Sequence, residues 1–248
     1  MNHSMEFRKI VIDLGNSRAK VAVFNQNEIC TLFHIGNPTP EKLLNLEIDY
    51  TSVKSGIISS VAADTISYTQ VLPAINWIHL NEMTPVPVNN SYKTPATLGK
   101  DRLAAVTGGH HLYPGRDLLI IDAGTAVTYD FINCNGVYIG GSISPGLSMR
   151  FAALNTFTSR LPLLKIQEID FLTGRDTTES ILSGVIHGIR LEMDGIINEY
   201  KLMWPTVITI MTGGDAEYFE KILKNNIFVT PNLVLTGLKL ILDYNLEK

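Results

Sequence analysis

Two short segments, one in each half of the chain, combine residue types that bind phosphate groups. Asp13–Ser17 and Asp122–Thr125 each place an acid, a glycine and a small hydroxyl residue where an apolar strand ends. Glycine lets backbone N–H groups approach an anion closely, the hydroxyl adds a donor, and the carboxylate can hold a cation. The pattern is typical of a strand–turn–strand hairpin that grips phosphate.

Either segment taken alone is also an ordinary hairpin, because Asp and Gly are common in turns generally. Two copies in one chain are harder to explain in that way. They indicate two similar domains that face each other across a cleft, with one phosphate-gripping hairpin in each domain.

The segment Leu98–Arg102 places a carboxylate and a guanidinium at a predicted helix start. Asp101 can act there as a general base, and Arg102 can clamp a substrate carboxylate through paired hydrogen bonds. The simpler interpretation is that Asp101 only interacts favourably with the helix dipole. Both interpretations stay open on these residues alone.

Three glycine-bearing segments in the second half of the chain could complete such a site. Gly140–Met149 passes from strand to helix, which tight packing alone also explains. Gly174–Thr177 precedes a long helix and is typical of an N-cap. Thr212–Ala216 follows a strand, where bare glycine backbone could lie against an adenine ring or simply form a turn.

Apolar patterning predicts the elements that position these residues, and their alternation indicates mixed sheets with helices on the faces. In the first half, the predicted strands are Phe7–Leu14, Arg18–Phe24, Glu28–His34, Ser55–Val61 and Ile75–Leu80. The predicted helices there are one entered at Pro38–Glu41 that ends near Leu46, a short one capped by Asp64, and one starting at Gly99. Met83–Leu98 is irregular, and an irregular stretch of this length is usually functional.

The second half repeats the strand–turn–strand pattern around Asp122 and then continues with further strands and helices. The predicted strands that follow are Gly136–Ile143 and Thr206–Met211. The predicted helices are one starting at Ser144–Gly146, where Pro suits the first turn, then Thr177–Tyr200, a short one capped by Asp215, and Leu233–Tyr244. Pro114-Gly115 separates the two predicted domains, which are 1–115 and 116–248.

Composition excludes several classes of protein. With 20 Lys plus Arg against 24 Asp plus Glu, the chain has no basic surplus for nucleic acid. It has no membrane-length apolar run and no signal-peptide core, so we expect a cytoplasmic protein. Cys30 and Cys134, without a C-x-x-C pair, predict two reduced, buried thiols. The P-loop, protein-kinase and zinc-site motifs are missing from the sequence.

Taken in order, the motifs resemble those of the type III pantothenate kinases, a family of the acetate and sugar kinase, Hsp70 and actin superfamily. The motif Gly99-x-Asp101-Arg102 is the most discriminating, because sugar kinases and actins lack it at this place. Ser17 stands where the family often has Thr. The resemblance implies an α/β fold of two similar RNase H-like (actin-like ATPase) domains. It also implies ATP-dependent phosphorylation of pantothenate, the first step of coenzyme A synthesis.

The resemblance implies a role for each candidate residue. Asp101 is expected to accept the hydroxyl proton, Asp13 to organise Mg²⁺ through water, and Asp122 to hold K⁺ or NH₄⁺. A turn carboxylate bonded only to backbone N–H groups is the alternative for Asp122. The residues expected to contact ATP are Asp13, Leu14, Gly15, Asn16, Ser17, Arg18, Ala19, Lys20, Thr125, Gly213 and Gly214. Those expected to contact pantothenate are Tyr92, Gly99, Lys100, Asp101, Arg102 and Thr177.

The family resemblance also implies a homodimer, with the pantothenate pocket at its interface and Thr177 reaching it from the partner chain. We expect the helix Thr177–Tyr200 in or near that interface, because its apolar stripe is wider than one core face needs. Three other functions stay open: another small-molecule kinase of the superfamily, a non-enzymatic ATP-binding regulator, and an actin-like polymer. The Asp101–Arg102 pair favours an enzyme with a carboxylate substrate, and the shortness of the chain argues against the polymer.

Overall fold

The chain is described here from a computed structural model that covers residues 8–15, 18–60 and 64–248. Within these residues it divides into two units. The first unit comprises the described residues up to Leu112 together with Leu233–Lys248, and the second comprises Tyr113–Asn232. Each unit is built around its own β-sheet and its own apolar core.

The first unit has a sheet whose central strands are nearly continuous apolar runs. Its strands are β1 (Arg8–Leu14), β2 (Arg18–Asn25), β3 (Glu28–Gly36), β4 (Val53–Ser60) and β5 (Asn76–His79). They lie in the order β3-β2-β1-β4-β5, with β1, β2 and β3 antiparallel in sequence and β4 and β5 parallel to β1. β1 and β4 are almost wholly buried, as expected for strands covered on both faces.

Local capping explains where the short helices of the first unit begin. Its helices are α1 (Pro40–Leu44), α2 (Thr65–Gln70), α3 (Lys100–Leu112) and α7 (Leu233–Leu246). Thr39 accepts a hydrogen bond from the Lys42 backbone N–H, and Asp64 accepts one from the Ile66 backbone N–H. The segment before α3 is irregular as predicted, apart from a short strand, β6 (Asn89–Asn90), and a 3₁₀ turn at Pro95–Thr97.

The final helix belongs to the first unit, which corrects the predicted boundaries of the C-terminal domain. α7 packs along α3 and against β1. A methyl group added at Gly237 would lie 1.8 Å from the Ala104 carbonyl oxygen, so the two helices approach closely. Asp243 of α7 also pairs with Lys9 of β1, with 2.5 Å between Nζ and Oδ1. The sequence analysis assigned this helix to the domain 116–248 because the helix follows that domain in sequence. No local sequence signal shows that the chain goes back to the first unit after Asn232.

The second unit repeats the strand order and directions of the first. Its strands are β7 (Leu118–Ala123), β8 (Ala126–Ile132), β9 (Val137–Pro145), β10 (Ile208–Thr212) and β11 (Phe228–Val229). They lie in the order β11-β10-β7-β8-β9, with β7, β8 and β9 antiparallel in sequence and β10 and β11 parallel to β7. β11 was not predicted, because two residues give too short a pattern to recognise.

The helices of the second unit are α4 (Leu147–Thr156), α5 (Thr177–Met203) and α6 (Ala216–Ile222). Asp176 caps α5 as predicted, accepting a hydrogen bond from the Glu179 backbone N–H at 2.8 Å. The predicted start of α4 is wrong by two to three residues. Pro145 pairs with Ala126 at the end of the β8–β9 ladder, and Gly146 is the N-cap of the helix.

The apolar stripe of α5 is used by the core of its own unit. The stripe residues Ile181, Leu182, Val185, Ile186, Ile189, Met193 and Ile197 are buried, and Ile196 packs against the same core. The width of the stripe is therefore no evidence for a second interface. In the described residues, no helix combines the length and apolar character needed to cross a membrane.

Both cysteines are unpaired thiols, as predicted, but they are exposed rather than buried. Cys30 lies on β3, where its thiol contacts the Val23 carbonyl oxygen at 3.2 Å. Cys134 lies in the turn between β8 and β9. Cysteine generally prefers the protein interior, and the prediction of buried thiols followed that preference. The preference did not hold here, because Cys30 lies at an exposed position of β3 and Cys134 lies in an exposed turn.

Candidate active site

The second hairpin and the glycine-rich turn after β10 lie side by side. Asp122, the last residue but one of β7, pairs with Thr128 in β8 and with Thr212 in β10. The turn between β7 and β8 is closed by a hydrogen bond from the Gly124 N–H to the Ala126 carbonyl oxygen at 3.1 Å. Parallel pairing of β7 and β10 therefore brings two of the predicted motifs to one edge of the sheet.

Gly213 is the residue at which these two motifs touch. Its φ is +98°, and a Cβ added there would lie 2.5 Å from Asp122 Oδ1 and 2.3 Å from the Ala123 carbonyl oxygen. Any other residue would be strained and would collide with both oxygens. The glycine thus lets the turn after β10 approach a carboxylate oxygen and a carbonyl oxygen closely.

Asp215, which follows this turn, was predicted only as a helix cap. It stands at the cap position of α6, but its side chain makes no capping hydrogen bond. Its backbone N–H donates instead to the Ala123 carbonyl oxygen at 3.0 Å, and burial raises the pKa of its carboxyl group. The Gly-Gly-Asp sequence was the available signal that this acid lies beside the second hairpin.

The turn from β9 into α4 lies against the same hairpin. The Gly146 N–H donates to the Thr125 carbonyl oxygen at 3.0 Å, and Thr125 is an exposed residue. This contact joins Gly140–Met149, Asp122–Thr125 and Thr212–Ala216 into one cluster within the second unit. The structure therefore gathers three motifs that the sequence spaces far apart.

A polar network that the sequence did not reveal holds this turn in place. Arg150 donates from Nε to the Pro145 carbonyl oxygen, and its NH2 group contacts Ser144 Oγ and Glu192 Oε2. Glu192 on α5 also accepts a hydrogen bond from the Tyr129 hydroxyl at 3.0 Å. The Glu192 carboxylate therefore links two strands and two helices of the unit.

Titration of the network follows from these contacts. Burial pushes the pKa of Glu192 upward, but hydrogen bonds from Ser144 and Arg150 and the Arg150 charge outweigh it, so the pKa is lowered. Burial and the neighbouring carboxylate raise the pKa of Tyr129 well above its usual value. Near neutral pH the network consequently contains a carboxylate, a guanidinium and a neutral phenol.

In the first hairpin, the Gly15 N–H donates to the Arg18 carbonyl oxygen at 2.9 Å. Asp13 and Lys20 lie directly opposite each other in the β1–β2 ladder, so their side chains share one face of the sheet. Asn16 and Ser17, two of the predicted ATP contacts, lie outside the described residues.

Two of the predicted ATP contacts in this hairpin have side chains that belong to the core. Leu14 and Ala19 pair across the ladder and are each 2% exposed. They pack with the apolar cluster of the first unit. A phosphate group could therefore be contacted only by their backbone atoms, whereas Gly15 and Arg18 are exposed.

The carboxylates of the hairpins suit a metal ion that arrives with a nucleotide. In the part of the chain that the structure describes, no group of three or more His, Cys, Asp or Glu side chains is placed to hold a metal ion. Mg²⁺ in kinase sites usually takes one or two carboxylates and completes its shell with phosphate oxygens and water. Half-buried Asp13 at the end of β1 fits that requirement.

The start of α3 brings together the residues predicted to bind the second substrate. Arg102 is only 5% exposed, and its guanidinium carbon lies 5.6 Å from the centre of the Tyr92 ring. A buried guanidinium over an aromatic face gains from the cation–π attraction and keeps its planar fork oriented. An oriented fork of this kind is suited to a carboxylate or phosphate group.

Asp101, the residue before Arg102, is held in place by the geometry of the helix start. Its Oδ1 accepts a hydrogen bond from the Arg102 backbone N–H at 2.8 Å. A Cβ at Gly99 would lie 2.5 Å from the same oxygen, so a side chain at position 99 would displace the carboxylate. Asp101 is also in the first turn of α3, so its interaction with the helix dipole is real as well.

The remaining pantothenate-contact candidates occupy different elements. Lys100 is the first residue of α3 and is half-buried. Thr177 is the first residue of α5 and belongs to the second unit, where it is exposed. Tyr92, Gly99, Lys100, Asp101 and Arg102 therefore belong to the first unit, and Thr177 belongs to the second.

Two similar mixed sheets, each with an acid–glycine hairpin between its first two strands, define the fold of the acetate and sugar kinase, Hsp70 and actin superfamily. A putative Baf family transcriptional activator from Campylobacter jejuni shares this fold with a TM-score of 0.62 and 21% identity, over 96% of this chain and 100% of that chain. An inorganic polyphosphate/ATP-glucomannokinase from Arthrobacter sp. strain KM has a TM-score of 0.50 and 12% identity, over 98% and 100%.

Within that superfamily the sequence is more specific. The family model for type III pantothenate kinase matches residues 9–199. A type III pantothenate kinase from Phocaeicola vulgatus is 46% identical over 238 residues, which cover 95% of this chain and 98% of that protein. The chain belongs to the type III pantothenate kinase family.

Proposed function

We propose that the protein transfers the γ-phosphoryl group of ATP to the primary hydroxyl of pantothenate, the first step of coenzyme A synthesis. The observation that carries the proposal is the start of α3, where a buried guanidinium and a carboxylate lie on adjacent residues, Arg102 and Asp101. Pantothenate carries a carboxylate and a primary hydroxyl. It therefore needs a cationic group that pairs with the carboxylate and a proton acceptor for the hydroxyl. Membership of the family supports the same substrate.

In the proposed reaction, the first unit binds and activates the acceptor. Arg102 pairs with the pantothenate carboxylate, and Tyr92, Gly99, Lys100 and Thr177 complete the contacts with the substrate. The hydroxyl oxygen bonds to the γ-phosphorus while the bond from that phosphorus to the β–γ bridging oxygen breaks, and ADP leaves. Asp101 takes the hydroxyl proton.

The hairpins position the donor, because phosphoryl transfer depends mainly on alignment and charge neutralisation. Backbone N–H groups and Lys20 of the first hairpin contact the ATP phosphates, Thr125 contacts phosphate from the second hairpin, and Gly213-Gly214 lies against the adenosine. Asp13 would hold Mg²⁺ through water. When bound, Mg²⁺ neutralises charge on the phosphates.

The substrate choice is tested by measuring ATP consumption with a panel of acceptors. We expect pantothenate to stimulate ATP turnover and glucose, glycerol and acetate to leave it at the background rate. The reason is that only pantothenate offers both a carboxylate for Arg102 and a primary hydroxyl for Asp101. Faster turnover with acetate or a sugar would contradict the proposed substrate.

We also propose that Asp122 holds a monovalent cation, K⁺ or NH₄⁺. The support is that two oxygens, Asp122 Oδ1 and the Ala123 carbonyl oxygen, lie close together on the side of Gly213 where a Cβ would point. Carboxylate and carbonyl oxygens suit a hard cation, and they also accept hydrogen bonds from ammonium. Such an ion offsets part of the negative charge that the triphosphate and the acidic residues bring together.

The cation proposal predicts activation by K⁺ or NH₄⁺ that depends on Asp122. Activity is titrated with each chloride in sodium or Tris buffer, at fixed ionic strength and saturating Mg²⁺. Wild type should be activated, and Asp122→Asn should lose the activation. Asp117→Asn is the matched control, because Asp117 is the acid immediately before the start of β7. This variant should keep the activation by K⁺ or NH₄⁺. Full wild-type activity without either ion would refute the proposal.

We propose a homodimer in which the outer face of α5 lies at the interface. Gly184, Gly188, Leu191 and Gly195 share that face, since they are spaced by three or four residues. The three glycines have open space where a Cβ would be, and Leu191 is 56% exposed. Close approach of a second copy of α5 would cover this face and bring the partner subunit's Thr177 near it.

The dimer is tested by light scattering at the concentration used in the assay. Leu191→Asp should shift the protein to monomers and lower its activity, because the change puts a charge into the proposed apolar contact. Ile66→Asp on α2 is the control, because Ile66 is also 56% exposed and lies in the first unit. A wild-type protein that is monomeric and fully active would rule out a shared site.

We further propose that the protein works in the cytoplasm. ATP is the phosphoryl donor in the reaction above, and the thiols of Cys30 and Cys134 are both unpaired and exposed. Exposed thiols of this kind persist in a reducing compartment.

A further inference from the structure

Glu192 on α5 holds two neighbours of the second hairpin with its two carboxylate oxygens. Oε1 accepts a hydrogen bond from the Tyr129 hydroxyl at 3.0 Å, and Tyr129 lies in β8, the strand that follows the hairpin turn. Oε2 lies 2.6 Å from Nη2 of Arg150 on α4. One carboxylate therefore attaches both β8 and α4 to the long helix.

Arg150 extends this attachment to the turn between β9 and α4. Its Nε donates to the Pro145 carbonyl oxygen, and its Nη2 donates to Ser144 Oγ, both at 2.8 Å. Its backbone N–H donates to the Gly146 carbonyl oxygen at 3.0 Å. Three successive residues of the turn are thus bonded to a single arginine.

The turn that Arg150 holds lies directly against the backbone of the second hairpin. The Gly146 N–H donates to the Thr125 carbonyl oxygen at 3.0 Å. A Cβ added at Gly146 would lie 2.1 Å from the Gly124 carbonyl oxygen and 2.6 Å from that of Thr125, so the two backbones are in close contact. Any shift of the turn must consequently move the hairpin or break this contact.

The pair of Glu192 and Arg150 is partly shielded from water, since the two side chains are 29% and 21% exposed. A hydrogen bond between ionised groups is roughly twice as strong as one between neutral groups. Removing the charge of one partner leaves the other partly buried without its counter-ion. Loss of the Glu192 charge should therefore loosen Arg150 and, with it, the turn.

We propose that Glu192 is a positioning residue for the phosphate contact of the second hairpin. It acts through Arg150 and the β9–α4 turn, which fix the backbone beside Thr125. The proposal rests on the proposed function, because it concerns the phosphates of bound ATP. A misplacement of about 1 Å at a contact that aligns the reacting groups can cost about 10²-fold in rate.

The first experiment measures amide hydrogen exchange in full-length protein labelled with ¹⁵N-glycine, without ligand. In Glu192→Gln, the Gly146 amide should exchange about tenfold faster than in wild type, because its bond to Thr125 opens more often. The Gly188 amide, within α5, should exchange at the wild-type rate. Glu199→Gln makes the same change at an exposed position two turns further along α5 and should leave both rates unchanged.

Two results of this measurement would contradict the positioning role. An unchanged rate at Gly146 in Glu192→Gln would show that the carboxylate does not hold the turn. An equal rise at Gly188 would show a general loss of stability in the second unit, and the turn would then have no special dependence on Glu192.

The second experiment compares binding of a non-hydrolysable ATP analogue with binding of adenosine, both without pantothenate. Glu192→Gln should bind the analogue about tenfold more weakly and adenosine as wild type does, because adenosine has no phosphate for Thr125 to contact. Glu192→Asp retains the charge and should lose less affinity for the analogue than Glu192→Gln does. Glu199→Gln should bind both ligands normally.

The pattern of affinities separates this proposal from the proposed reaction. Equal weakening of both ligands in Glu192→Gln, or no weakening of either, would overturn the positioning role and leave the assignment of the substrate intact. Phosphorylation of an acceptor other than pantothenate would refute the proposed reaction. Selective weakening of the ATP analogue would still support the role of Glu192 in that case, because this measurement does not involve the acceptor.

Discussion

Replacing Asp101 by asparagine should lower kcat by about 10²–10⁴-fold and leave the affinity for ATP nearly unchanged. Asparagine keeps the shape of the side chain and the acceptor for the Arg102 backbone N–H, which lies 2.8 Å from Asp101 Oδ1. It cannot take the proton of the pantothenate hydroxyl. The rate is measured with both substrates saturating, and the affinity is measured by nucleotide titration without pantothenate.

The size of this effect separates two roles of the same carboxylate. An acid that only favours the helix dipole contributes about 0.3–1 kcal/mol of stability, and its loss would change the rate a few-fold at most. Asp64→Asn, at the cap of α2, is the control for a purely structural acid at a helix start and should retain normal kcat. A near-normal Asp101→Asn enzyme would assign Asp101 to the structural role. The loose transition state of phosphoryl transfer favours the lower end of the expected range.

Replacing Arg102 by glutamine should raise KM for pantothenate by about 10²-fold, with a smaller effect on kcat. Arg102 is 5% exposed and its guanidinium lies over the Tyr92 ring, so its pairing with a substrate carboxylate is shielded from water. Truncating one partner of such a pair costs about 2–5 kcal/mol of binding free energy. A KM increase of about 10²-fold lies within that range. Arg102→Lys should have a KM for pantothenate between those of wild type and Arg102→Gln, because an ammonium keeps the charge and loses the planar fork.

A change of substrate distinguishes loss of this contact from damage to the fold. Pantothenol has a hydroxyl in place of the carboxylate, so wild type and Arg102→Gln should use it with similar, low efficiency. Thermal unfolding of each variant shows whether the buried position tolerates the change. If Arg102→Gln lowers kcat/KM with pantothenol as much as with pantothenate, Arg102 does not bind the substrate carboxylate.

Most individual elements could be predicted from the sequence because their signals are local. The hairpins at Asp13 and Asp122 combine an apolar run, a glycine turn and renewed alternation within about a dozen residues. The caps at Thr39, Asp64 and Asp176 depend on backbone groups two or three residues away. Neither kind of signal requires knowledge of distant contacts.

The features that sequence reasoning missed depend on contacts between distant segments. Glu192 reads as one more polar residue on a helix, but it joins Arg150 and Tyr129, which are far away in sequence. Asp215 reads as a helix cap until the parallel pairing of β7 and β10 places it against Ala123. Likewise, an apolar stripe on α5 cannot show whether its own core or a partner subunit covers it.

The position of α7 bears on the order in which the chain can fold during synthesis. The second unit is continuous, so all of its residues have been synthesised before Leu233 is added. The first unit lacks Leu235, Leu238, Ile241 and Leu242 until the whole second unit has been synthesised, and these side chains are wholly buried in the folded first unit. The apolar face of the first unit that α7 covers is therefore exposed while the whole second unit is being synthesised. Residues made after the second unit therefore complete the core of the unit whose synthesis begins before it.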